Sequence, residues 1–421
     1  MLKRIRVTVA VIIGNILDYY DFLLFAHFGP IITPYFFPNI DLKESHILSL
    51  FLFGGAFIIR PIGGIIFGYI SDVFSRKKAL LLAVQCAIFP ALAIAFLPGN
   101  QRIGLVASCL FVIFRLMQGF SLGGEYTNAG TYLMEYHKSK RGFVSGCLAA
   151  SGTIGSLIGL GASAICLSYQ TEIPWLWRTA FLVGGLAAFW SFSMRRFLID
   201  IVAKENAKKP TKKVHFDYLW LRRSLVIFIG VVVGTTNWLP ATYTNFYVTK
   251  ILNQPTAIGI YCTMISLVGY IILSPLMGIL ADKSKHHEYF MKMAALFIIP
   301  LSLFGFLFLR EGHWYLTQIL LVIASSSFGA AIHPVMNSLF PAQIRARNVS
   351  LFFTIGLSVG GMAPGMLSYI VDKTGWYLMP ALFISLLALL MAFLFVAYEA
   401  KSSRNHLQLK NKLDENLRFK E

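Results

Sequence analysis

Residues 104–134 read GLVASCLFVIFRLMQGFSLGGEYTNAGTYLM, an apolar and small-residue run whose two charged members are Arg115 and Glu125. As a helix it would extend about 45 Å at roughly 1.5 Å per residue, more than the roughly 20 residues a bilayer core requires. Working outward, the chain divides into twelve such runs, at about 7–29, 46–70, 79–97, 104–134, 142–168, 178–199, 223–248, 257–280, 289–309, 315–340, 346–371 and 377–398. Apolar residues make up 57% of the chain and charged ones 13%, with a mean hydropathy of +0.67. Soluble domains average about 45–50% apolar and about 25% charged, so soluble and disordered classes are excluded. The expected fold is an all-α integral membrane protein of twelve transmembrane helices in two six-helix halves.

The net charge of +18 has two readings, a nucleic-acid surface or the basic loops of a membrane protein. Of the 37 Lys and Arg, 29 fall in the N-terminus, the C-terminal tail and alternate loops, all on one side of a twelve-span arrangement. That count places nine of them in the 195–223 segment. Six lie on the other side, and Arg60 and Arg115 remain inside spans. The positive-inside rule then puts both termini in the cytoplasm and leaves no role in nucleic-acid binding. The opening MLKRIRV and the apolar stretch behind it read as the first span, because Asn15, Asp18 and Asp21 interrupt the stretch and no small-residue cleavage site follows. Cys86, Cys109, Cys147, Cys166 and Cys262 all sit in apolar runs without a C-x-x-C pair, so neither a disulfide framework nor a metal site is expected.

The longest internal loop, 200–222, is Lys-rich and splits the chain into a six-helix bundle at 1–199 and a second at 223–398, with a cytoplasmic tail at 399–421. Gly68-Tyr69-Ile70-Ser71-Asp72 is echoed 210 residues later by Gly278-Ile279-Leu280-Ala281-Asp282, and Arg141 is echoed 204 later by Arg345. Two halves repeated in parallel imply a substrate site between them near the midplane, exposed alternately to either side.

The motifs resemble the major facilitator superfamily over essentially the whole chain. Several are similar to its metabolite:H+ symporter family, which includes proline/betaine, citrate, 2-oxoglutarate and shikimate permeases. They are Gly14-Asn15-x-x-Asp18-Tyr19-Tyr20-Asp21-Phe22, Arg60-Pro61-Ile62-Gly63-Gly64, Gly68-x-x-x-Asp72-x-x-x-Arg76-Lys77-Lys78 and Arg115-x-x-Gln118-Gly119-Phe120-Ser121-Leu122-Gly123-Gly124-Glu125. Met134-Glu135-Tyr136-His137, Trp177-Arg178, His333-Pro334 and Leu339-Phe340-Pro341 follow in the same order. The chain departs from the family at Asp18 and Tyr19, where Glu and Trp are usual. Val73 stands for a basic residue and Ser75 for a Gly. The resemblance implies that Asp72, Arg76 and Lys77, with Asp282 as their second-half counterpart, gate the conformational change.

A charge at the bilayer centre costs about 2.5–3.5 kcal/mol on insertion scales, so Asp18, Asp21, Arg60, Arg115 and Glu125 need a reason to be there. At 100° per residue Asn15, Asp18, Asp21 and Phe22 share about one third of the first helix, and Arg115, Gln118, Leu122 and Glu125 lie within about 80° on the fourth. The functional reading makes Asp18, Asp21 or Glu125 the proton-coupling group, with Glu125 and Asp18 preferred, Arg115 as the charge that tunes it or the anchor for a substrate carboxylate through the planar guanidinium fork, and Arg60 a second candidate substrate contact. The plain alternative is that Asp18 or Asp21 pairs with Arg60 or Arg115 to hold helices together. Gln118 is a candidate substrate contact. Tyr126, Trp238 and Tyr243, with Tyr247, could form an aromatic cage for a quaternary ammonium, or anchor helix ends at the interface. His333 before Pro334 marks a kink or a proton relay. Gly152, Gly155, Gly159, Gly356, Gly360, Gly361 and Gly365 form small faces for close helix packing.

The function expected is a proton-coupled symporter importing a small zwitterionic or anionic metabolite, best a proline or glycine betaine-type osmolyte. An organic acid:H+ symporter and a non-transporting substrate sensor stay open. No Walker motif or nucleophile–base pair is present, so no enzyme activity is expected. The only ion or cofactor implied is the proton, and the only partners are the substrate and the bilayer. A monomer in a bacterial inner membrane is the expected setting.

Overall fold

The structure is a computed structural model and describes residues 2–38, 42–200, 219–284 and 286–418. The interval set apart as a linker, 200–222, lies mostly outside them. Twelve long helices follow in order: α1 (Leu2–Phe36), α2 (Leu42–Val73), α3 (Arg76–Phe96), α4 (Leu105–Tyr136), α5 (Arg141–Ser168) and α6 (Trp177–Arg195), then α7 (Leu219–Trp238), α8 (Thr256–Lys283), α9 (His287–Arg310), α10 (Trp314–Ser338), α11 (Arg345–Thr374) and α12 (Met379–Arg418). No strand occurs among the described residues, as hydrocarbon requires of a spanning chain whose backbone bonds must close within each segment. Eleven helices are long and apolar enough to cross a membrane. The exception is α6, only 19 residues long and polar at both ends, with Arg178 near one end and Arg195 at the other. It still packs fully against α1 and α3.

Helix ends follow local chemistry. Ser75, the departure from the usual Gly, is the N-cap of α3 and accepts a bond from the Lys78 N–H at 3.1 Å. Arg178 donates to the carbonyls of Ala95 and Leu97 at 2.7 and 2.9 Å, which occupies acceptors left open at the end of α3. Beyond Trp238, α7 continues as a widened π-helical turn, Leu239–Tyr243, built around Pro240, and a second at Tyr247–Ile251. α12 runs unbroken past the membrane to Arg418, so most of the stretch set apart as a tail is helix.

Within the first half α1 packs on α5 and α6, α2 on α4, and α3 on α4 and α6. Within the second, α7 packs on α11 and α12, α8 on α10, and α9 on α10 and α12. The second set is the first with six added to every number. Between halves α2 meets α11 and α5 meets α8, again images of one another. Glycine permits close approach at Gly356 and Gly360 of α11, where a Cβ would run into the backbone of Ile227 and Val231 on α7. Gly365 faces open space and has no such role. The outward faces carry Phe89, Phe189, Phe304 and Phe393, each more than half exposed, as a lipid-contacting surface demands.

Candidate functional site

The polar stripe of α1 turns into the first half. Asn15 donates to the Ser151 hydroxyl at 2.8 Å and so ties α1 to α5. Below it, Glu125 of α4 forms an ion pair with Arg195 of α6, both fully buried. The guanidinium occupies the space that a side chain at Gly14 would take. The Asp18 carboxyl lies within electrostatic reach of Glu125, Arg195 and Asp21, and its Oδ2 is buried without a hydrogen-bond partner. This cluster holds two acids and one base.

Arg195 corrects the sequence reading, which counted it with a basic loop and offered Arg115 as the charge beside Glu125. Arg195 and Arg196 are adjacent, but a step of about 100° on a helix points one inward and the other to solvent. Arg115 instead donates to Gln118 Oε1 at 2.5 Å, and Gln118 Nε2 donates to Asp21 Oδ2. Its guanidinium also lies over the Phe25 ring at 4.1 Å. Asp21 and Arg115 therefore balance each other through one amide. Neither Arg115 nor Gln118 lines the cavity described next.

Between the halves lies a cavity with about 670 Å³ of atom-free space, counted out to its mouth. Its wall includes Tyr19, Arg60, Tyr126, Asn237, Trp238 and Tyr270. Arg60 is its one charged wall residue among the described residues. The guanidinium is held over the rings of Phe57 at 4.0 Å and Phe22 at 4.5 Å, with Nε and Nη2 lacking any hydrogen-bond partner. Tyr270, 210 residues after Arg60, is its repeat counterpart on α8 and lines the same space. Of the anticipated aromatic cage, Tyr126 and Trp238 are at the cavity. Tyr243 is not: it is fully buried in the second half, stacked on Tyr247 and packed edge-on to Phe306. His333 is also buried, against Tyr126 at 4.8 Å, with both ring nitrogens unpartnered.

At the end of the bundle that carries both termini, two latches join the halves. Asp72 closes α2 and accepts the backbone N–H groups of Ala346 and Arg347, in the first turn of α11, at 3.0 and 3.1 Å. Asp282 closes α8 and accepts those of Gly142 and Phe143, in the first turn of α5, at 2.7 and 2.9 Å. Each carboxylate caps the positive end of a helix from the opposite half. Arg76 bonds Asp72 at 2.6 Å, Glu135 at 2.9 Å and the Ala342 carbonyl at 2.8 Å, and Arg345 reaches the same Glu135 at 2.7 Å. Lys77 is half-buried and takes no part in this network among the described residues. Among the described residues Asp282 has only the His287 side chain as an ionic neighbour, at 3.1 Å, yet makes the same backbone contacts.

A capping carboxylate contributes about 1–2 kcal/mol. Asp282→Ala should therefore raise the open fraction of this seam roughly 5- to 30-fold by that estimate. The reporter is a lone cysteine at Ser145, buried in the seam, in a background without the five native cysteines. Thiol labelling of that cysteine should accelerate by the same factor; an unchanged rate would remove Asp282 from the latch.

Arg195, Asn237 and Tyr270 escaped sequence reasoning. The one available signal was the repeat, since adding 210 to Arg60 points at Tyr270.

The major facilitator superfamily model matches residues 11–253 and 226–417. Among curated proteins, the chain is 29% identical over 429 residues to a putative proline/betaine transporter of Staphylococcus aureus (strain COL), covering 95% of this chain and 90% of that one. It is 25% identical over 412 residues to the proline/betaine transporter of Escherichia coli (strain K12), covering 92% and 81%. The solved structure of the proton:xylose symporter XylE bound to 6-bromo-6-deoxy-D-glucose has a TM-score of 0.72 at 18% identity, covering 94% of this chain and 95% of that one. For the human organic anion transporter MFSD10 (TETRAN) the TM-score is 0.69 at 14% identity, covering 93% and 99%. At these identities the solved structures speak for the fold alone. With a family model spanning nearly the whole length and a twelve-helix fold shared with its solved members, the chain belongs to the Major Facilitator Superfamily.

Proposed function

We propose that this transporter is a proton-coupled symporter that imports a small zwitterionic metabolite of the proline or glycine betaine type. The observation that carries the reading is the separation of unbalanced charge inside the first half. Asp18, Glu125 and Arg195 together hold one acid too many, while Arg60 in the cavity wall has no acid beside it among the described residues. An uncompensated buried charge is costly. One proton neutralises the first group, and one ligand carboxylate neutralises the second. The ligand's ammonium would then lie against the π faces of Tyr19, Tyr126 and Trp238, with no acid required.

On this reading the basic loops are cytoplasmic and the two latches seal that side, so the cavity loads from outside. The protein works as a monomer in a bacterial cell membrane, with the proton as coupling ion and no other cofactor. One proton entering down ~100 mV and one pH unit supplies about 3.7 kcal/mol, enough for several-hundred-fold accumulation of a zwitterion. The names of the relatives support an osmolyte. A di- or tricarboxylate would need further cations in the wall, which weighs against 2-oxoglutarate and citrate.

The test is uptake into proteoliposomes under an imposed proton gradient, across glycine betaine, proline, 2-oxoglutarate, citrate and shikimate. Accumulation of glycine betaine or proline, abolished by a protonophore, is expected. Preference for 2-oxoglutarate, citrate or shikimate would move the substrate class. Binding without gradient-driven accumulation of any solute would leave a sensor and overturn the symporter.

A further inference from the structure

Matching contacts between the halves fix the register of the internal repeat around the cavity. Gly68 of α2 lies against the backbone of Ala346 and Arg347 on α11, and Gly278 of α8 lies against that of Gly142 and Phe143 on α5. One turn further along, Gly64 meets the Ser350 carbonyl on α11, and the Ser274 carbonyl of α8 meets Gly146 on α5. Each residue is related to its image by the offsets of 210 and 204 already seen in the sequence. The next turn carries Arg60 on α2 and Tyr270 on α8, and both line the cavity. Equivalent positions in the two halves thus give the wall a cation from one side and a phenol from the other. Tyr270 is buried, and its hydroxyl fills the space that a side chain at Gly329 of α10 would take. On that side α7 and α10 contain no Asp or Glu, and α8 has none before Asp282 in its last turn. A cation at 270 would find no acid in its own half and would be left for a ligand.

We propose that residue 270 sets the charge class of the substrate: the Tyr270 phenol, standing where the repeat places the image of Arg60, restricts the cavity to ligands with a single carboxylate. The inference rests on the reading of Arg60 as the carboxylate anchor of a zwitterion transporter. With one cation in the wall, a second ligand carboxylate would be buried without compensation, and such a charge is costly. A phenol can donate one hydrogen bond to it but carries no charge to neutralise it. An arginine at 270 would reverse the preference. A zwitterion would then satisfy one guanidinium while its ammonium is repelled by the other, whereas a dicarboxylate would satisfy both. Discrimination of this kind comes from the group that is left unpaired with the wrong ligand.

The test is equilibrium binding to purified protein at about pH 7.5, where carboxylates are ionised, with glycine betaine and 2-oxoglutarate as probes. Wild type is compared with Tyr270→Arg, Tyr270→Lys and Tyr270→Gln. Binding needs no proton gradient, and the ratio of the two affinities within one preparation cancels losses common to both ligands. In Tyr270→Arg the ratio should move toward 2-oxoglutarate by at least about 30-fold, the lower figure for one desolvated charge pair. Tyr270→Lys should move it the same way by less, because an ammonium lacks the planar fork. Tyr270→Gln, polar but neutral, should gain no affinity for 2-oxoglutarate. A ratio within about threefold of wild type in both cationic variants overturns the proposal. So does an equal gain in Tyr270→Gln, which would make space and not charge the cause. Failure of both cationic variants to fold overturns it too, since a position open to the ligand should tolerate a charge. A wild type that binds neither probe, or prefers 2-oxoglutarate, defeats the osmolyte reading and this inference with it. A wild type that prefers glycine betaine beside cationic variants that prefer it equally defeats the inference alone.

Discussion

Arg195→Met should be among the most destabilising single substitutions inside the bundle. Removing one partner of a buried ion pair costs about 3–5 kcal/mol, because the other charge stays behind without compensation. Here it would leave two facing acids, Glu125 and Asp18, in a fully buried site. The thermal midpoint in detergent, compared at one scan rate because such unfolding is commonly irreversible, should fall by several degrees. Adding Glu125→Gln should restore at least half of that loss, since the orphaned acid becomes a neutral amide of similar shape. The rescued protein should still fail to accumulate substrate. A single variant that melts like wild type, or a double variant no better than the single, would mean the pair does not hold α4 to α6.

Arg60→Gln should do the opposite. Among the described residues its guanidinium has no acid beside it and rests on Phe22 and Phe57, so removing the charge should leave the thermal midpoint equal to or above wild type. Binding should suffer instead. Loss of one partner in a desolvated, hydrogen-bonded charge pair costs about 2–5 kcal/mol, which is a factor of roughly 30 to several thousand in affinity. The half-saturation concentration for glycine betaine in counterflow should rise by at least the lower figure. Arg60→Lys should rescue little, because a compact ammonium lacks the planar fork. Affinity within a factor of three of wild type would remove Arg60 from the ligand site, and a large drop in melting midpoint would make it a structural residue.

The spans were legible because hydrocarbon demands a long apolar run, and the stripes on α1 and α4 because helical period puts Asn15, Asp18 and Asp21, or Arg115, Gln118 and Glu125, on one face. Pairing was not legible. Which base meets Glu125 depends on how α6 lies against α4, and nothing in the dipeptide Arg195-Arg196 says which member faces inward. The same holds for Tyr243, aromatic and near Trp238 in sequence yet packed into the core of its own half. Ser75 shows the converse. It departs from a motif that usually has a Gly there, but its hydroxyl caps α3 and so does local work a glycine does not.

The latches also differ in how they can be broken by mutation. On the receiving side, Ala346, Arg347, Gly142 and Phe143 offer main-chain N–H groups, which every residue except proline supplies, and Arg347 adds its guanidinium, with Nε 3.7 Å from Asp72. Drift at Ala346, Arg347 and Phe143 leaves the donors intact, whereas Gly142 has no room for a side chain against the Gly278 backbone, and a single base change at either aspartate codon removes a whole attachment. Selection against loss of the seam should therefore concentrate on the two aspartates and on Gly142.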